Sequence, residues 1–429
     1  MEQFKSALRA FFVESCSILV GEPNQQRSWT RIIRQGGGST SLPVEIRNDF
    51  SSSLIRFQMR ILDDKIPSFN SLVEAVREDS QLRDALLVDA AGTPITDGKN
   101  QGWWLNSMVI MPLLNVYVQR VGGFNYDEAI FDELFAVVQN DIESTEITIT
   151  QLSPLMNVEI ESEQIQIDTN VRLRQLSTDE LEEWLNANTQ FSFEPISPME
   201  LLNLKSAVEV VYQQKRHSMG VSPDAQDKVL RLLSAIRLFT DASPRLTFTK
   251  IRTSSLLTSG FGTTWGALTL RFGSLAKIEQ SQESGLVELY KRLSSGPNLT
   301  GTIQAVTRWN SAIDRLTEED KLIDYWIALE SLFVPDTTQE LSYRSALRIA
   351  SFLGVNGIQR KQIYEEVKES YSLRSEIVHG SIGKRKRKLT SPELINLTRS
   401  FLRQSLLKIL GSSDRFEPSM FEIQLLLKD

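Results

Sequence analysis

The arrangement of apolar and polar positions changes character part-way along the chain. After about Gln282 it is uniformly helical. Apolar residues recur at spacings of three and four over 283–294, 301–316, 318–334, 341–353, 358–379 and 391–410, with Gly, Pro, Ser and Asn in the connectors. Consecutive helices with short connections predict an all-α bundle of about four to six members. Upstream the pattern is mixed. Residues 4–13 and 71–87 read as amphipathic helices, and Ile130, Leu134 and Val138 place another over 126–138. The stretch 143–150, ESTEITIT, alternates as a strand does, and EQIQI with VRLRQL predicts a hairpin turned at Asp168, Thr169 and Asn170. Ser177 opens a helix with a capping box, Glu180 standing three residues on. Helices are expected from 198 to about 216 and from 224 to 239, followed by strands at 246–252 and 265–272. The fold class is therefore α+β: a mixed α/β N-terminal region followed by an all-α bundle. Expected boundaries are 1–125, 126–281 and 282–429, with the bundle's core at about 305–410.

Two glycine-rich stretches fall outside these elements. RQGGGST, 34–40, lacks the Gly-Lys-Ser/Thr of a phosphate loop and is expected to be a mobile loop. SGFGTTWG has no helix directly after it and reads as a turn between strands rather than a cofactor loop.

At 429 residues the chain exceeds what one hydrophobic core organises, which implies two or three domains. A single cysteine, Cys16, excludes an intramolecular disulfide framework, and the start MEQFKSALRA lacks a secretory pattern, so a cytoplasmic setting is expected. The most apolar run, 103–118, contains Asn106, Pro112 and Asn115 and is too short and polar to span a membrane. Two histidines and one cysteine are too few for an ordinary zinc site, so any chemistry is expected to be metal-free or carboxylate-based, and no cofactor is expected.

The net charge of −7 conceals an asymmetry. Residues 127–194 carry 16 Asp and Glu against Arg172 and Arg174, which is −14, whereas 341–410 carry 14 Lys and Arg against 5 Glu, which is +9. A basic module follows an acidic body. Within it the run Lys384, Arg385, Lys386, Arg387, Lys388 is a candidate RNA-binding patch, because each phosphate contact releases counterions; a solvated loop is the alternative.

Candidate chemistry lies on two of the predicted helices. Ile323, Trp326, Glu330 and Phe333 share one face, which puts a carboxylate in an apolar stripe; Asp324 falls on another face and is expected to point to solvent. Ile363, Val367, Tyr371, Arg374 and Ile377 or Val378 form a second stripe, making Arg374 the natural partner of Glu330, either as a structural pair or as part of a site. His379 precedes Gly380 at a helix end, where the dipole and Glu376, one turn back, would favour imidazolium. His217, in the polar stretch KRHSMG that is expected to end a helix, has no matching carboxylate nearby and no assigned role.

The segments LIDYWIALESLF, ELSYRSALRIASFLG and YSLRSEIVHG resemble, in order and spacing, the Apea-like branch of the HEPN family over about 100 residues. The most diagnostic part is Arg-x4-His, Arg374 to His379, followed by glycine. The resemblance implies a helical domain that forms a homodimer, or a higher even-numbered homo-oligomer, so that two such motifs face one another, with Arg374 and His379 catalytic, Glu330 the supporting acid, and Ser375 and Tyr371 beside them. It implies metal-independent RNA cleavage through the 2′-hydroxyl, leaving 2′,3′-cyclic phosphate and 5′-hydroxyl ends. It also implies a role in phage defence by abortive infection, with a phage-derived or nucleotide trigger acting on the upstream region. Many catalytic members carry Asn, Asp or His directly after the arginine, where this chain has Ser375. The alternative within the same resemblance is an inactive HEPN module used for dimerisation or for binding RNA or nucleotides.

Overall fold

The computed structural model describes residues 1–21, 25–35, 38–62, 66–89, 93–186, 202–216, 222–257, 263–265, 273–335, 339–380 and 388–422. The architecture is mixed α+β with a largely helical C-terminal region. Two compact units result: Met1–Met156 with Glu163–Val229 and Leu246–Arg271, and Asn157–Ser162 with Leu230–Arg245 and Phe272–Asp429.

The first unit opens with helix Glu2–Leu19, whose Phe4, Leu8, Phe11, Phe12 and Leu19 recur at helical spacing and are buried. Phe12 meets Tyr117 and Phe131 edge-on at 5.1 and 5.5 Å, an arrangement that favours ring edges against ring faces. The expected single helix over 71–87 is two, Pro67–Glu78 and Ser80–Leu86, because Asp79 is extended and caps the second by accepting the N–H groups of Gln81 and Leu82. The apolar run 103–118 continues helix Gly98–Trp104 through a π-helical turn, Leu105–Ile110, into Met111–Val121; Leu105, Val109, Ile110, Leu113, Leu114 and Tyr117 are buried in this core, while Trp103 is exposed. Among the described residues no helix is long and apolar enough to cross a membrane.

An antiparallel sheet completes the unit, in the spatial order Thr263–Trp265, Phe248–Thr253, Glu146–Met156, Ser206–Lys215, Val171–Gln175, Gln164–Asp168. The hairpin at Asp168–Asn170 is where the alternation places it. The Ser177 hydroxyl accepts the Glu180 N–H at 3.1 Å while the Ser177 N–H donates to Glu180 at 3.2 Å, closing the expected capping box on helix Thr178–Asn186.

Two expectations are corrected here. Helix was expected up to about 216, but Ser206–Lys215 is a strand paired on both sides, with Leu152 opposite Glu209 and Leu173 opposite Val208. Its first five residues are all buried, so a two-residue alternation has nothing to mark, and its three valines suit a pleated strand. Of the stretch 34–40, expected to be a loop, residues 34–35 and 38–40 lie in paired strands, Gln25–Gln35 running antiparallel to Gly38–Asp49 up to Gln35 opposite Gly38, and 36–37 lie outside the described residues. Residues 266–272, most of the last expected strand, and 198–201 lie outside the described residues, as does His217, which follows a strand rather than a helix.

The second unit contains helices Glu283–Ser295, Leu299–Asp314, Glu318–Phe333, Leu341–Leu353, Gly357–Val378 and Ser391–Gly411, within two residues of the expected bounds. Side-chain caps define several starts. Thr317 accepts the Asp320 N–H at 3.2 Å, Asn356 accepts that of Gln359 at 2.9 Å, and Thr390 with Glu393 forms a capping box. Trp309, Trp326, Leu329 and Phe333 lie fully buried in its core. The Trp326 Nε1–H donates to the Ser370 hydroxyl at 3.0 Å, Ser370 bonds Thr398, and Thr398 donates to the Leu394 carbonyl, so one buried polar chain ties three helices together.

Asp324 requires a further correction. It is only 1% exposed and ion-pairs Arg308 at 3.0 Å and Arg315 at 2.6 Å. A helical wheel sees only its own helix; the two cations come from the preceding helix and the connector after it.

Candidate functional site

Helices Glu318–Phe333 and Gly357–Val378 bring together three of the residues singled out from the sequence. The Trp326 indole packs edge-on against the Tyr371 ring at 4.9 Å, fixing the register in which Glu330, one turn on from Trp326, approaches Arg374, three residues after Tyr371. Arg374 Nη2 lies 3.8 Å from Glu330 Oε2, and the Arg374 guanidinium sits 5.8 Å from the centre of the Tyr371 ring. Both charged side chains are half-buried, 25% and 21% exposed.

At 3.8 Å the two groups attract as charges but do not form a hydrogen bond. Glu330 Oε1 and Arg374 Nε are shielded from solvent and have no hydrogen-bond partner among the described residues. Burial pushes the Glu330 carboxyl above its ordinary range, opposed by the Arg374 charge and hydrogen bonding to Tyr371. Burial, together with the Glu330 charge, also raises the Tyr371 phenol. The cluster therefore holds a cation with unfilled donor capacity beside a carboxyl whose charged form is only partly compensated.

Ser375 follows Arg374 and is half-buried; its carbonyl accepts the His379 N–H at 3.1 Å. His379 ends the helix as its C-cap, and Gly380 adopts φ +64°, the left-handed conformation that lets the chain turn away. The imidazole is exposed, while Glu376 is buried on the inner face of the helix. Five residues on a helix correspond to about 7.5 Å of rise and about 140° of rotation, so within one chain Arg374 and His379 project in different directions.

Of the basic run only Lys388 is among the described residues; Lys384, Arg385, Arg387 and Lys386 lie outside them. The Lys388 backbone N–H donates to Glu369 at 2.6 Å and its ammonium pairs with Glu365 at 3.2 Å, so the end of the run is tethered to the acidic side of the Gly357–Val378 helix. The ammonium remains largely exposed, and a surface pair of this kind is worth little against a polyanion.

Sequence reasoning missed a second charged assembly, in the first unit. Glu209, buried in the sheet, receives Arg172 and Arg174, each Nε at 2.6 Å, and Arg174 continues to Glu180 at 2.7 Å. Glu180 also meets Arg252, and Glu183 pairs with Lys250 and Arg252. The available signal was Glu209 itself, a lone carboxylate in the apolar run SAVEVVY, which burial permits only with paired cations.

Searches against protein-family models, curated proteins and solved structures return no match for this chain.

Proposed function

We propose that the chain is a metal-independent RNA endonuclease of the HEPN type, working as a homodimer. The observation that carries the reading is the half-buried Arg374–Glu330 pair, close enough to attract but not to satisfy each other's hydrogen-bonding groups. A purely structural pair closes on itself; here the guanidinium is a quarter exposed and its terminal nitrogen stands too far from Glu330 for a hydrogen bond, which favours a role for it on the oxygens of a phosphate.

In this reading the exposed His379 of one chain takes the proton of an RNA 2′-hydroxyl as that oxygen attacks phosphorus. Imidazolium from the second chain protonates the departing 5′-oxygen, leaving a 2′,3′-cyclic phosphate and a 5′-hydroxyl. Each proton transfer contributes on the order of 100 to 10,000-fold in rate. Arg374 stabilises the charge gathering on the phosphorane, and Glu330 with Tyr371 orients Arg374. The motif supplies one imidazole per chain, and the reaction uses one as acceptor and one as donor, which is why the reading calls for a second chain. The segment 384–388 supplies backbone attraction to RNA, and the setting is the cytoplasm, in phage defence by abortive infection under control of a phage-derived or nucleotide trigger.

The test is cleavage of structured RNA in EDTA by wild type, Arg374→Ala and His379→Ala, with folding checked by circular dichroism. Both variants lose cutting while staying folded; unchanged cutting by either overturns the assignment. A second reading, an inactive dimerisation or RNA-binding module, takes support from the Coulomb contact between Glu330 and Arg374 as a helix-pinning pair. It predicts salt-sensitive RNA binding with no new ends.

A further inference from the structure

Opposite charges attract more strongly as water is removed from around them, and Glu330 and Arg374 are both half-buried. Yet Arg374 Nη2 stops 3.8 Å from Glu330 Oε2, about 1 Å beyond a charge-assisted hydrogen bond. Closing that gap would gain such a bond, so another group holds the two apart.

Tyr371, three residues before Arg374 on helix Gly357–Val378, meets both. The guanidinium sits 5.8 Å from the centre of its ring, within cation–π range, and its hydroxyl hydrogen-bonds Glu330. Glu330 Oε1 has no partner among the described residues, which leaves Oε2 as the oxygen that phenol and guanidinium both approach. Burial and the Glu330 charge raise the phenol above its ordinary value, so it keeps its proton and donates.

The ring is itself held in place. Trp326, fully buried, meets it edge-on at 4.9 Å with the two planes at 88°, and the indole N–H donates to the Ser370 hydroxyl at 3.0 Å. Ser370 bonds Thr398 on helix Ser391–Gly411, so three helices set where the Tyr371 ring stands.

We propose that Tyr371 is a positioning residue that keeps Arg374 from closing on Glu330, its hydroxyl occupying the carboxylate and its ring face carrying the guanidinium. The consequence for RNA rests on the ribonuclease reading, in which Arg374 meets a phosphate; the spacing itself does not. Without the hydroxyl, the carboxylate turns to Arg374 and the pair closes. A packing role has the opposite sign, since removing a group that merely covers Arg374 exposes it.

The experiment treats the full chain with p-hydroxyphenylglyoxal, which modifies accessible guanidinium groups. Peptide mass spectrometry follows the rate at Arg374, with Arg415, 86% exposed, as the internal standard. Tyr371→Phe keeps the ring and removes only the hydroxyl. In that variant Arg374 reacts about tenfold more slowly than in wild type, the worth of one charge-assisted hydrogen bond, while Arg415 is unchanged. Adding Glu330→Gln, which removes the charge that Arg374 would close on, returns the rate to within about twofold of wild type. Equal or faster reaction of Arg374 in Tyr371→Phe, or a rate still slowed in the double variant, overturns the proposal. Glu330→Gln alone is a second arm that needs no change at Tyr371. With the pair open it leaves the Arg374 rate within about twofold, and a rise of about tenfold shows a pair already closed in wild type and overturns the proposal.

Cleavage of RNA in EDTA by the same proteins separates this proposal from the ribonuclease reading. Cutting by wild type, with Tyr371→Phe at about a tenth of its kcat and the same KM, supports both. Labelling as stated from a wild type that does not cut keeps the spacing and overturns the reading. Cutting by wild type with unslowed labelling does the reverse.

Discussion

Replacing Asp324 by Asn keeps the side chain's shape and removes its charge. The carboxylate is 1% exposed and bonds Arg308 at 3.0 Å and Arg315 at 2.6 Å, so the change weakens two charge-assisted hydrogen bonds, each worth about 1.5–3 kcal/mol where the charge is buried. The arginines themselves are 37% and 47% exposed, and water recovers part of what they lose. The net expectation is a loss of about 2–3 kcal/mol from the helical unit. Asp320→Asn, on an exposed position of the same helix, changes stability by no more than about 0.5 kcal/mol. The chain has two units, so a single global transition would mix them. Urea titration read by hydrogen exchange in peptides covering 308–333 confines the measurement to the helices concerned. An Asp324→Asn loss no larger than that of Asp320→Asn would refute the buried pairing and return Asp324 to the solvent-facing role that helical spacing alone suggests.

Other expectations follow from the same interactions. Although burial alone would raise the Glu180 carboxyl, Arg174, the Ser177 N–H and Arg252 hold it at about 2 against an ordinary 4.5. A depressed carboxylate contributes stability that is present above about 4.5 and lost as pH falls through about 2, so the urea midpoint of the sheet drops across that window in wild type and flattens in Glu180→Gln. Parallel profiles for the two proteins would contradict the network. Trp326→Phe removes the donor to Ser370 and part of a fully buried ring, at about 1–3 kcal/mol; a change under about 0.5 kcal/mol in the same exchange assay contradicts that packing. Gly380→Ala meets no neighbouring atom but forces a left-handed backbone, costing about 1–2 kcal/mol, and Gly380→Asn costs less; equal stability of all three proteins would argue against the turn after His379.

The C-terminal helices were legible because their information is local. Caps at Thr317, Asn356 and Thr390 mark starts, and long apolar stripes mark faces, so each helix announces its own limits. The approach of Glu330 to Arg374 was legible for the same reason, since a charge inside each of two stripes leaves few places for either to go. What failed was information held by other segments. Ser206–Lys215 is a strand because neighbours on both sides complete its ladder, and no window of its own sequence shows them. Asp324 is buried because Arg308 and Arg315 come to it.

If Arg374 and His379 cut RNA without metal, as proposed, the chemistry is written in the ends of the fragments. The most direct measurement is end-group analysis of RNA fragments produced in EDTA by wild type and by His379→Ala. Wild type is expected to leave 2′,3′-cyclic phosphate and 5′-hydroxyl ends, and the variant none. The same ends from both proteins, or 3′-hydroxyl ends from wild type, would contradict it.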